Sequence, residues 1–189
     1  MTARSVYVLA DTSGSTARGG FADGWRRAQP RLVAAAERGG HRICFLSYGD
    51  DATLRVPLIP ARDLAFIPHM RAYGLSSLAA GLRLLAGVVD QDRRQLDTDG
   101  IPAGPAVAVV VADGLPTDRD ERLLEARDAL PGDTELHLAV PPGEDRLALA
   151  GLRAVLHPIP AGGADEVAAA VTAALEAAVA DRPSAGSPQ

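Results

Sequence analysis

Val6-Tyr7-Val8-Leu9-Ala10-Asp11-Thr12-Ser13-Gly14-Ser15 is the stretch from which the rest of the chain can be read. Its first half is β-branched, aromatic and apolar without alternation, as a central parallel strand buried on both faces should be. Its second half carries an oxygen-bearing side chain at every second position, Asp11, Ser13 and Ser15. Alternate side chains of an extended or loosely looped backbone project to the same side, so the three can converge on one point. Gly14 permits the tight bend between the two serines. Hard oxygens on such a loop suit Mg²⁺ or Ca²⁺ better than a soft metal.

Outward from this stretch, strands and helices alternate. A loop through Gly19, Gly20 and Gly24, expected to be mobile, leads to Trp25, Ala28, Leu32, Val33 and Ala36, which follow helical spacing to about Glu37. Pro30 either kinks that helix or marks its first turn. Residues 42–48 form a second apolar run, joined by Gly49-Asp50-Asp51 to an alternating stretch. There Ala52, Leu54, Val56 and Leu58 would face one way, with Thr53 and Arg55 facing the other. So short a link predicts an antiparallel hairpin, with Asp50 and Asp51 as turn residues and Pro57 and Pro60 marking an edge strand. A short helix is expected around 61–67. Leu78, Leu82, Leu85 and Val89 then predict another, capped by Ser76 or Ser77, before a polar loop over 90–105.

Ala106-Val107-Ala108-Val109-Val110-Val111 is the strongest strand of the chain. The acidic loop Asp113-Gly114-Leu115-Pro116-Thr117-Asp118 follows, with Asp118 or Thr117 expected to cap a helix over about 119–129. A strand at 135–140, a short helix near 144–150, a strand at 153–158 and a helix over about 164–180 complete the order. Val167, Val171, Leu175 and Val179 share one face of the last helix. The division expected is a single domain over 1–180 and a disordered, proline-containing tail over 181–189.

The bulk properties exclude several classes. At 189 residues the chain is long enough for one domain burying roughly 70% of its unfolded surface. A formal net charge of −5, with both signs mixed along the chain, gives no electrostatic case for nucleic acid. Cys44, the only cysteine, sits in an apolar run and reads as a buried thiol. Neither a signal sequence nor an apolar run of membrane-spanning length is present, so the expectation is a cytoplasmic protein with no membrane partner.

Alternating strands and helices imply an α/β fold: a mostly parallel sheet with helices on both faces. Ligands of such sheets bind beyond the C-terminal ends of the strands, where the strand order reverses. In the order 3-2-1-4-5-6, with strand 3 antiparallel at the edge, the first and fourth strands are neighbours at the reversal. That brings Asp11, Ser13 and Ser15 beside Asp113, and Ser76 can complete the cluster.

These residues carry a resemblance. Asp11-Thr12-Ser13-Gly14-Ser15, Gly74-Leu75-Ser76-Ser77-Leu78 and Ala112-Asp113-Gly114-Leu115-Pro116-Thr117-Asp118 look like the three parts of a metal-ion-dependent adhesion site (MIDAS). That signature belongs to von Willebrand factor type A (VWA) domains, whose Rossmann-like three-layer order the chain resembles throughout. The third segment is similar to the bacterial TerY-like branch associated with tellurium-resistance gene clusters. The resemblance implies Ser13, Ser15 and Ser76 as hydroxyl ligands and Asp11 and Asp113 as carboxylates around Mg²⁺, with Ca²⁺ or Mn²⁺ as alternatives. The family usually has threonine where Ser76 stands; serine keeps the oxygen but loses the methyl that restricts χ1. Ser77 is a rival for the same role. The implied function is capture of a partner's Asp or Glu at the metal, in a stress or signalling system, with kinases or phosphatases of the same gene cluster as candidate partners.

Two other readings compete. A phosphotransferase or phosphatase could use Asp11 as its nucleophile, but such enzymes of the haloacid-dehalogenase kind carry a second aspartate where this chain has Ser13. No Walker-type loop is present, and His41, His69, His137 and His157 pair with no nucleophile motif. No enzyme activity is therefore expected. A VWA scaffold that binds partners without metal is the third reading.

Overall fold

The computed structural model describes residues 3–18, 20–114, 116–141, 147–159 and 163–180. Six strands form one sheet: β1 (Ser5–Asp11), β2 (Arg42–Tyr48), β3 (Ala52–Pro60), β4 (Ala106–Val111), β5 (Glu135–Val140) and β6 (Val155–Pro158). Their order is β3-β2-β1-β4-β5-β6, and every pairing is parallel except β2 with β3. The α/β architecture and strand order expected from the sequence are those observed.

The helices α1 (Phe21–Arg38) and α5 (Ala164–Val179) pack on one face, α2 (Leu78–Thr98) and α3 (Asp120–Asp128) on the other; α4 (Leu147–Ala150) is a single turn. Both faces of β1 are committed: Val6, Val8 and Ala10 enter the α1/α5 core, Tyr7 and Leu9 the α2/α3 core. The unbroken apolar run of the sequence reflects this two-sided burial. Cys44 is buried on the α2/α3 side.

Several sequence expectations are corrected. The segment after Ser15 holds a 3-10 turn over Gly14–Ala17, and Gly24 lies inside α1, as does Pro30. Only a 3-10 turn, Ala61–Asp63, stands where a helix over 61–67 was expected. Residues 90–98, expected as loop, continue α2 to Thr98, because Leu96 extends the buried stripe of Leu82, Leu85 and Val89 by two further turns. On β3 the strict alternation fails. Register shifts opposite Phe45 place Val56 in the α1/α5 core, while Ala52 and Leu58 lean on the other core and Leu54 is 42% exposed. Irregular pairing of this kind changes which face a side chain meets. The expected tail, 181–189, and residues 144–146 of the expected helix near 144–150 lie outside the described residues.

At Gly24 α1 and α5 come close together. A Cβ there would sit 2.5 Å from the Ala164 carbonyl oxygen and 2.5 Å from Val167 Cβ. Gly24→Ala should gain about 1 kcal/mol of helix propensity and lose more to overpacking, about 1–3 kcal/mol. Urea denaturation should show a net loss of stability; a stabilised variant would contradict this packing.

Candidate metal centre

Because β1, β2 and β4 run parallel, their C-terminal ends share one edge, with Asp11 beside Tyr48 and Ala10 beside Val111. Backbone hydrogen bonds stitch together the loops that leave this edge. Thr12 N donates to Tyr48 O (2.7 Å), Tyr73 N to Thr12 O (2.8 Å), Gly14 N to Gly74 O (3.0 Å), Ser77 N to Gly49 O (2.9 Å) and Thr117 N to Ser76 O (2.8 Å). Thr117 Oγ1 adds a second bond to the same Ser76 carbonyl, at 2.9 Å.

The five side chains singled out in the sequence meet in one hydrogen-bonded chain. Asp11 Oδ1 accepts from Ser13 N at 2.7 Å, and Asp11 Oδ2 accepts from Ser76 Oγ at 2.8 Å. Ser13 Oγ lies 3.0 Å from Ser15 Oγ, and Ser15 Oγ donates to Asp113 Oδ1 at 3.1 Å. Asp11, Ser13 and Ser76 are buried, Asp113 is half-buried and Ser15 is exposed, so the cluster opens to solvent on the Ser15 side. Burial pushes the Asp113 carboxyl above its ordinary range; Ser15 pulls it back and the nearby Asp11 adds to the rise.

This donor set fits a small hard cation. Ser15 and Ser76 each give their one proton to a carboxylate, which leaves hydroxyl lone pairs for an ion. The contact a cation would have to replace is the one between Ser13 and Ser15, a neutral hydrogen bond of about 1 kcal/mol. Two carboxylates held near each other would be relieved by positive charge. Among the described residues, no group of three or more His, Cys, Asp or Glu side chains is placed to hold a metal. An ion held here would take its remaining protein ligands from the hydroxyls.

The two serines of the second loop have separate tasks. Ser76 faces Asp11, whereas Ser77 caps α2, accepting from Ala80 N at 3.3 Å and donating to Asp118 Oδ1 at 2.8 Å. Asp118 or Thr117 was expected to cap α3, and Asp118 does not. Instead its Oδ2 accepts from Ala79 N at 2.9 Å, and α3 has Arg119 at its N-cap position with no side-chain cap bond. The unmet N–H groups of the longer, buried α2 take it.

Sequence reading missed three supports. The buried Tyr48 phenol lies beside Ser76 and Asp11; desolvation, above all, pushes its pKa up. Its position at the end of the strand paired with β1 was the available signal. Thr12 Oγ1 donates to Tyr48 O at 2.8 Å. Asp50 is more than a turn residue, because its Oδ1 accepts from Leu75 N at 2.8 Å and fixes the second loop. Gly74 there has a φ of 74°, and a Cβ on it would meet the Asp50 carboxylate, so glycine is required on two counts.

The histidines serve elsewhere. His41 Nδ1 accepts from Arg4 N at 3.1 Å, His137 stacks on His157 and lies 2.8 Å from Glu135 Oε1, and His69 is exposed.

No protein-family description matches the sequence, and no curated relative matches it. Solved structures do match. A von Willebrand factor type A protein from Catenulispora acidiphila superposes with a TM-score of 0.73 at 14% identity, over 95% of this chain and 43% of that one. The fold is that of a VWA domain. The SpRpn10 VWA domain matches with a TM-score of 0.65 at 10% identity, over 88% of this chain and 94% of that one. The open conformation of the pilus adhesin SpaC from Lactobacillus rhamnosus GG matches with a TM-score of 0.65 at 14% identity, over 94% of this chain and 30% of that one. The chain thus spans less than half of the first and last of these proteins. Among the described residues, no helix is long and apolar enough to cross a membrane.

Two substitutions separate support from site. Asp118→Ala removes both bonds that hold the start of α2 and should cost about 0.5–2 kcal/mol, equally in EDTA and in Mg²⁺, by urea denaturation. Asp113→Asn removes a desolvated charge facing Asp11, so in EDTA the variant should melt at or above the wild-type temperature. Saturating Mg²⁺ should raise the wild type alone, since a ligand of the native state adds stability by mass action. A variant that melts well below wild type in EDTA would contradict this reading.

Proposed function

We propose that the chain is a metal-dependent protein-binding module, in which Asp11, Ser13, Ser15, Ser76 and Asp113 hold a Mg²⁺-type ion and an Asp or Glu of a partner protein completes its shell. The observation that carries the reading is the division of labour in the cluster: hydroxyl protons go to the carboxylates, and hydroxyl lone pairs remain for a cation. Bound ion would supply an electrophilic open position for the partner's carboxylate. Among the structures that share the fold, one is a pilus adhesin, which supports a role in interaction. The likeness of residues 112–118 to TerY-like proteins supports a cytoplasmic bacterial stress or signalling setting of tellurium-resistance type, with a kinase or phosphatase of the same gene cluster as candidate partner.

A phosphotransferase reading loses ground on geometry. Asp11 is buried and both of its oxygens already accept hydrogen bonds, from Ser13 N and Ser76 Oγ, so it is poorly disposed to attack a phosphoryl group. One observation favours the metal-free scaffold instead: the cluster closes its hydrogen bonds without a cation.

Calorimetric titration distinguishes the two. The module reading expects one Mg²⁺ per chain, with binding lost in Ser13→Ala and Asp113→Ala although both variants remain folded by circular dichroism. Absence of Mg²⁺, Mn²⁺ and Ca²⁺ binding to the wild type would leave the metal-free scaffold.

A further inference from the structure

Beside the cluster lies a second cavity, of about 440 Å³. Its lining includes Asp50, Leu75, Ser77, Asp118, Arg119 and Arg122. It shares a wall with the metal centre, because Ser77 follows Ser76 directly and Thr117, also in its lining, holds the Ser76 carbonyl. The two carboxylates in this lining are already engaged. Both Asp118 oxygens bind the start of α2, and Asp50 Oδ1 binds Leu75 N. The two arginines are not. Arg119 and Arg122 are exposed, and among the described residues neither has an ion-pair partner. By contrast Arg83, on α2, is tied to Glu125 at 3.4 Å. Leu75, in the cavity lining, is 64% exposed, and Tyr73, two residues before it, is 54% exposed.

We propose that this cavity binds a second carboxylate of the same protein partner, an Asp or Glu close in sequence to the one captured at the metal, through Arg119 and Arg122. The unpaired guanidinium groups select the occupant: they offer donors in the fork geometry that matches a carboxylate, while both Asp118 oxygens and Asp50 Oδ1 already accept bonds from backbone and hydroxyl. Exposed Leu75 and Tyr73 would offer apolar contact to the residues between the two acids. The partner is thereby an acidic segment read at two points, with the metal supplying affinity and the arginines register. This rests on the metal-dependent reading given above.

A random peptide library displayed on phage, selected in Mg²⁺ on the wild type and on an Arg119→Glu/Arg122→Glu variant, tests it. Peptides from the wild type should share one acid required for Mg²⁺-dependent binding and a second acid at fixed spacing. Replacing that second acid by alanine should weaken binding to the wild type roughly tenfold and leave binding to the variant unweakened. Selection on the variant should keep the first acid and exchange the second for Lys or Arg. The variant's Mg²⁺ affinity and melting temperature should equal the wild type's; if it fails to fold, Arg122→Ala is used in its place and should lose the second preference. Mg²⁺-dependent acidic peptides with no second charge preference, or with the same preference in both proteins, would overturn the inference and leave the metal reading standing. Peptides whose binding ignores Mg²⁺ and survives Asp11→Ala would overturn both.

Discussion

The structure at the sheet's C-terminal edge depends on burying Asp11. A carboxylate that is 4% exposed must be solvated by the protein, since breaking a buried charge away from its partners costs about 3–5 kcal/mol. Its own loop supplies one donor, Ser13 N, and the second loop supplies another, Ser76 Oγ. The Ser76 bond holds only if residues 73–77 are fastened against β1 and β2, and the backbone bonds from Tyr73, Leu75 and Ser77 fasten them. Asp118 and Thr117 then attach the third loop to the second. The oxygen cluster is thus a consequence of stabilising one buried acid.

The same arrangement can serve two states. Without a cation the hydroxyls satisfy one another and the carboxylates. With one, most of those bonds persist, because a hydroxyl can donate its proton to an acid while a lone pair turns to the ion. Such a site would need little rearrangement to load, and what it would gain is relief of the desolvated Asp113 facing Asp11. Arg119 and Arg122 lie outside this circuit, so on the proposed reading partner preference and ion affinity would vary independently.

Much of this was legible in the sequence where a single local signal decided the outcome. Val6–Ala10 and Ala106–Val111 are apolar on both faces because helices cover both sides of the sheet, and that pattern with the strand order 3-2-1-4-5-6 made them neighbours at the reversal. Asp11, Ser13, Ser15, Ser76 and Asp113 were legible as a set because parallel strands bring their C-terminal loops to one edge. The illegible parts were decided by tertiary contacts. Residues 90–98 look polar enough for a loop, yet Leu96 docks on the core and carries the helix with it. Asp118 looks like a cap for the helix that follows it and instead caps one some forty residues earlier. On β3, bulged pairing with β2 overrode the alternation written in its side chains. Tyr48 was hidden because a phenol at the end of an apolar run gives no hint that its oxygen faces the site.

A crystal soaked in Mn²⁺ and measured for anomalous scattering tests the central claim most directly. The account predicts one peak within coordination distance of the Ser13, Ser15 and Ser76 hydroxyl oxygens, with Asp11 and Asp113 bonded to those hydroxyls or to the ion and the loops otherwise unmoved. Full hydrogen bonding between Ser13 and Ser15 with no peak at the cluster, in crystals soaked at millimolar Mn²⁺, would contradict it.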